Sequence, residues 1–114
     1  MSEIPSSGFS EWAKWVLRLR VRYRVEGNSM KPILSPGDFV LVDPVAFTHS
    51  PPLPGAVVVA KHPYLSSIVI KRVSQVLEDG VFVVGDNSEA SSDSHQFGRV
   101  NFKAILGRVT SRIS

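Results

Sequence analysis

The residues best suited to covalent chemistry in this chain are a serine and a lysine. Ser29 stands in VEGNSMKPILSPGDFVLVD (residues 25–43), inside a tight Gly-Asn-Ser-Met-Lys-Pro turn that a second turn joins to an apolar run. A serine hydroxyl attacks a carbonyl only when a nearby base takes its proton. Histidine is the first base to consider. His49 lies in a proline-rich stretch, His62 precedes Pro63, and His95 lies near Asp93, so the order of residues is compatible with a Ser29/His95/Asp93 arrangement. Three histidines in 114 residues are also ordinary surface residues. The stronger candidate is Lys71 in SIVIKRVSQV (67–76), which alternates onto the same strand face as Val69 and Val73. Burial there would penalise its charged form, and a neutral amine serves as the base in Ser/Lys variants of the triad. In the contrary reading Lys71 snorkels to the surface or pairs with an acid. Spacing alone leaves these choices open.

The elements that must position these groups read as a mainly β chain. DFVLV (38–42), AVVVA (56–60), SIVIKRVSQV (67–76), VFVV (81–84) and AILGRVTSRI (104–113) are short and rich in branched residues. SPGD, LPG and EDG separate them with turn residues, and EDGV predicts a hairpin. Nothing alternates strands with helices, so a parallel α/β sheet is not expected. Upstream, Leu17, Leu19, Val21, Tyr23 and Val25 alternate with Arg18, Arg20, Arg22, Arg24 and Glu26, which predicts a half-buried strand with the arginines on its wet face. Residues 8–16, GFSEWAKWV, predict a short helix with Ser10 as N-cap and Phe9, Trp12, Trp15 and Val16 on its apolar side. Packing against the sheet is the ordinary use of its tryptophans; a peripheral membrane anchor beside the arginines is the alternative. DPVAFTHSPPLPG (43–55), with four prolines, predicts a stiff loop outside the sheet, and GDNSEASSDSHQFG (85–98) predicts a long polar loop ordered by its own Asp, Asn and Ser side chains.

A chain of this length with 43% hydrophobic residues is expected to fold as a single domain over 1–114, residues 1–16 forming an N-terminal extension. No apolar run approaches a membrane span and no secretory leader is visible, which predicts a soluble cytoplasmic protein. Zero cysteines exclude disulfides and thiolate metal sites. The histidine spacing makes a poor metal site, and DNSEASSDS lacks the central glycine and distal glutamate of a calcium loop. Neither a metal nor a cofactor is expected. The net charge of +3 and the cluster Lys14, Arg18, Arg20, Arg22 and Arg24 fit phosphates, an anionic membrane or an acidic partner as well as a solvated face.

Four segments in one order carry a resemblance. GNSMKPILSPGDFVLV, PGAVVVAK, IVIKRV and GDNSEASSDSHQFGRV are similar to the serine, Gly-Asp-Val, lysine and Gly-Asp-Asn…Ser-x-Asp-Ser segments of the type I signal peptidase family of Ser/Lys proteases. The resemblance covers residues 25–109. It implies a coiled antiparallel β-sheet or barrel and an endopeptidase in which Ser29 is the nucleophile and Lys71 the general base. It further implies that the backbone N–H of Ser29 donates to the oxyanion, Ser91 orients the lysine, Asp93 braces its loop, and Gly27 and Met30 shape the cleft. Gly27 stands where some relatives carry a serine that assists the oxyanion, and His95 where many carry an arginine. The missing membrane helix and the flanks RVEGNSM, VAKHPY and ILGRVTSRI resemble the soluble branch that matures nickel-type superoxide dismutase, which implies a precursor with an N-terminal leader as partner. Nickel would then belong to the substrate. The rival readings are a self-cleaving repressor-type Ser/Lys protease, a non-catalytic chaperone for the precursor, and a basic β module that binds nucleic acid through the arginine strand with Trp12, Trp15 or Tyr23 stacking on bases; nucleic acid is not the expected partner.

Overall fold

The branched runs between turns do form strands. The computed structural model describes residues 4–87 and 94–113. Its elements are α1 (Phe9–Val16), β1 (Val21–Arg24), β2 (Phe39–Asp43), β3 (Val57–Lys61), β4 (Ile68–Val76), β5 (Gly80–Val84), α2 (Ser94–Phe97), β6 (Val100–Asn101), a 3-10 turn (Phe102–Ala104) and β7 (Ile105–Ile113). The strands make one seven-stranded sheet in the order β1-β2-β7-β3-β4-β5-β6, and every ladder in it is antiparallel. The EDGV hairpin joins β4 to β5, closed by the Leu77 N–H donating to the Gly80 carbonyl at 2.8 Å. Among the described residues no helix is long and apolar enough to cross a membrane.

The sheet curls, because its ladders shift register between Leu41 and Val42, Val59 and Ala60, and Val73 and Gln75, and bulges bend a strand and increase its twist. Curling gives the sheet two apolar cores. Val57 and Val59 pack with Val25, Met30, Leu34, Val40, Val42 and Val109. Val58 and Ala60, alternating to the other face of β3, pack with Val73, Val81, Val83, Phe97 and Val100. This double burial explains why AVVVA is an unbroken apolar run. Gly107, on β7, is required by close approach: a Cβ there would strike the Asp43 carbonyl and the Val42 side chain. β7 sits mid-sheet, and it alone joins β2 to β3.

Several expectations are corrected. The strand over 17–26 shortens to Val21–Arg24, because the chain turns over 17–20, with Arg18 at φ +62°. Leu17 and Leu19 are consequently exposed and not on a core face. Ser10 lies within α1 and does not cap it; Gly8 holds the N-cap position, with no side-chain bond. The tryptophans enter neither core: α1 has no buried residue, Trp12 is exposed, and Trp15 is half-buried beneath Arg22 of β1. The loop over 85–98 ends in helical structure, α2, with Phe97 buried and the Ser94 hydroxyl accepting from the Val83 N–H at 2.8 Å. The proline loop does lie outside the sheet, yet Pro52 is fully buried and Phe47 packs against the second core.

α1 is fastened by a polar contact instead. The Glu11 carboxylate accepts from the hydroxyls of Thr110 and Ser111, and Arg20 Nε approaches its other oxygen at 3.2 Å. Ser7 bonds Ser111 in turn at 2.7 Å, and Arg20 also reaches Asp43 at 3.9 Å. Burial works against the ionised form of Glu11, but the Thr110 and Ser111 hydrogen bonds and the charges of Arg20 and Lys14 outweigh it and hold the carboxyl below its usual range.

Candidate functional site

Ser29 is carried on a turn between β1 and β2 that is clamped from two sides. From within, Met30 and Leu34 are buried in the first core, and the Leu34 N–H donates to the Met30 carbonyl at 3.0 Å. From across the sheet, the Asn87 backbone N–H donates to the Ser29 carbonyl at 2.7 Å and its side-chain amide to the Asn28 carbonyl at 3.1 Å. Ser29 itself stays partly accessible. Gly27, two residues earlier, has φ +73° with open space beside its Cα, so a side chain there would find room but a strained backbone.

Lys71 lies on β4 opposite Val58 and is only 5% exposed. It and Ser29 line one cleft of about 470 Å³, together with Met30, Tyr23–Glu26 from β1 and its end, and Ser66–Ile70 leading into β4. The walls of this cleft are unusual for a sheet. β1 pairs only with β2, and β4 pairs with β5 only from Arg72 onward, so residues 68–71 have β3 on one side and no strand on the other among the described residues. Two stretches of unpaired strand edge therefore border the serine and the lysine.

Sequence reasoning missed the group that ties these two walls together. Arg72, next to Lys71 and on the other face, is 4% exposed, and its guanidinium meets Asp86 through two bonds of 2.9 Å while a third reaches the Gly55 carbonyl at 2.7 Å. The Asp86 side chain is 2% exposed. Asp86 thereby fixes its neighbour Asn87, which holds the serine turn. A signal was available: an arginine inside an apolar strand needs a buried acid, and the Gly-Asp-Asn segment offers one.

Other candidates fall elsewhere. His95 is exposed on α2 and does not line the cleft. The Nδ1 of His62 accepts from the N–H groups of Tyr64 and Leu65 at 3.1 Å each, and its ring lies 4.7 Å from that of Phe97, which makes it a turn-stabilising residue. His49 is in the proline loop beside a different cavity. Ser91 and Asp93 lie outside the described residues. Among the described residues no three His, Asp or Glu side chains gather as metal ligands would. Of the arginines, Arg24 borders the cleft, Arg22 stacks on Trp15 and Phe39 at 5.6 and 4.6 Å, and Arg20 holds Glu11.

A protein-family model described as Peptidase S24-like matches residues 19–110, most of the chain and all of the cleft. No curated protein matches the chain.

Proposed function

Because the chain belongs to the Peptidase S24-like family, we propose that it is a serine endopeptidase in which Ser29 is the nucleophile and Lys71 the general base. The observation that carries this reading is the shared cleft: an accessible serine and a buried lysine line it together, between two open strand edges. Ser29 Oγ bonds to the scissile carbonyl carbon as its proton passes to the Lys71 amine, whose burial favours the uncharged form. The Ser29 backbone N–H donates to the oxyanion, a contact of a kind worth about 10²–10³ in rate. The C–N bond then breaks, the Lys71 ammonium returns the proton to the leaving amine, and water, deprotonated by the same amine, hydrolyses the ester. Ser91 orients the lysine and Asp93 braces the loop, by their places in the family motif.

The substrate segment lies extended along the unpaired edges, taking main-chain hydrogen bonds from β1 or from residues 68–71. Met30 forms part of the cleft wall, and by family analogy small pockets admit alanine-sized side chains just before the cut. The substrate is a precursor with an N-terminal leader, that of nickel-type superoxide dismutase, and no cofactor takes part. The flanks around the serine, His62 and β7 support this assignment. The self-cleaving reading also fits the family, but it requires the chain's own bond in the cleft. Ser6 bridges to Arg112 on β7, and Ile4 and Pro5 line a separate cavity with Gly55 and Arg108, so none of the described N-terminal residues lines the cleft.

The test is mass spectrometry of a nickel superoxide dismutase precursor incubated with the protein and with Ser29→Ala and Lys71→Ala. A single cut at the leader junction, slowed at least about a thousandfold in each variant, is the expected result. Cleavage that persists in both variants would overturn the dyad, and an intact precursor beside a cleaved alanine-ended leader would overturn the substrate alone.

A further inference from the structure

α1 is attached to the sheet the wrong way round for a surface helix. Of its polar residues Glu11 faces the body and is held by Thr110, Ser111 and Arg20, while Phe9, Trp12 and Val16 face out. Phe9 is 90% exposed, Val16 72% and Leu17 70%, and with Trp12 and Ala13 they line one shallow apolar depression. An exposed, contiguous apolar face of this kind marks a docking surface. The charges around it have one sign. Lys14, Arg18 and Arg22 are basic, Arg22 reaching over the Trp15 ring, and the acid of the helix is turned inward against Arg20.

We propose that the outward face of α1 docks on a bilayer surface containing anionic lipid, with Phe9, Trp12, Val16 and Leu17 entering the headgroup boundary and Lys14, Arg18 and Arg22 meeting lipid phosphates. The arrangement is that of an interfacial amphipathic helix, apolar and aromatic residues on one side and cations at the rim. A second copy is a poorer occupant, because a two-fold contact through this patch would set each basic rim against its own duplicate. α1 leads directly into β1, whose far end borders the cleft, so docking would hold the cleft close to the membrane surface.

Vesicle co-sedimentation with the whole chain tests this independently of proteolysis. Vesicles of phosphatidylcholine with phosphatidylglycerol should bind the protein at least about tenfold more strongly than phosphatidylcholine alone, and salt should weaken the binding. Because Trp12 and Trp15 are the chain's two tryptophans and both lie in α1, their emission should shift to the blue on binding. Val16→Ser with Leu17→Ser, and separately Lys14→Glu with Arg18→Glu, should each abolish the preference while far-UV circular dichroism stays unchanged. Absence of wild-type binding, equal binding to both vesicle types, or self-association without vesicle binding would overturn the proposal. A protein that cleaves its substrate yet ignores vesicles overturns docking and leaves the protease reading intact.

Discussion

β3 and α1 are both rich in apolar residues, VVVAK and FSEWAKWV, and they end in opposite surroundings. β3 is enclosed on both faces, its valines shared between two cores. α1 buries none of its residues and is held by one carboxylate. Apolar content therefore does not tell where an element goes. β3 has partners on both sides because the sheet curls around it, whereas the polar anchor of α1 decides which face the helix shows.

The contrast can be broken most severely inside β3. Val59→Asp would bury an unpaired charge in a site that is 0% exposed, a cost comparable with the whole stability of a small domain. Urea unfolding should show no cooperative transition; a transition near the wild-type midpoint would refute the double-core account. Next comes the buried anchor between the cleft walls. Asp86→Asn should lower stability by about 3–5 kcal/mol, whereas Arg72→Met with Asp86→Leu should recover much of that loss without restoring cleavage, as read from urea midpoints and peptide turnover. Glu11→Gln is the corresponding change in α1 and should cost about 1–2 kcal/mol. The folded carboxyl is held below its usual range, so its contribution is complete above the usual carboxylate range and is lost as pH falls through the lowered folded value. Tryptophan emission followed downward in pH should therefore report release of α1 in the wild type and a flat response over that window in Glu11→Gln. The smallest effect belongs to the outward face: Val16→Ser should change the urea midpoint by no more than about 0.5 kcal/mol equivalent, because its side chain is mostly in water.

Strand positions were legible because period and punctuation agree there: DFVLV and SIVIKRVSQV became β2 and β4 within a residue or so. The alternation from Leu17 to Val25 misled for a physical reason. Its apolar half has nothing to pack on until Tyr23, and the turn after α1 uses up its first residues. The serine turn and the core-facing lysine could be singled out from residue chemistry, but that they share a cleft could not, since it depends on the curl of the sheet and on register shifts that leave no sequence mark. The Arg72–Asp86 pair was hidden by its neighbours: Lys71 drew attention as the base, and Asp86 read as a turn former.

The place of β7 also bears on when during its synthesis the cleft can form. Every ladder linking the sheet half that carries Ser29 to the half that carries Lys71 runs through this strand, which leaves the ribosome after both. Domains fold as units, and contacts between distant segments form late because the intervening chain must first be brought together. A nascent chain that has emitted Ser29 and Lys71 but not β7 has no continuous sheet to join them. The cleft would thus be completed only at the end of translation, when β7 joins its two walls.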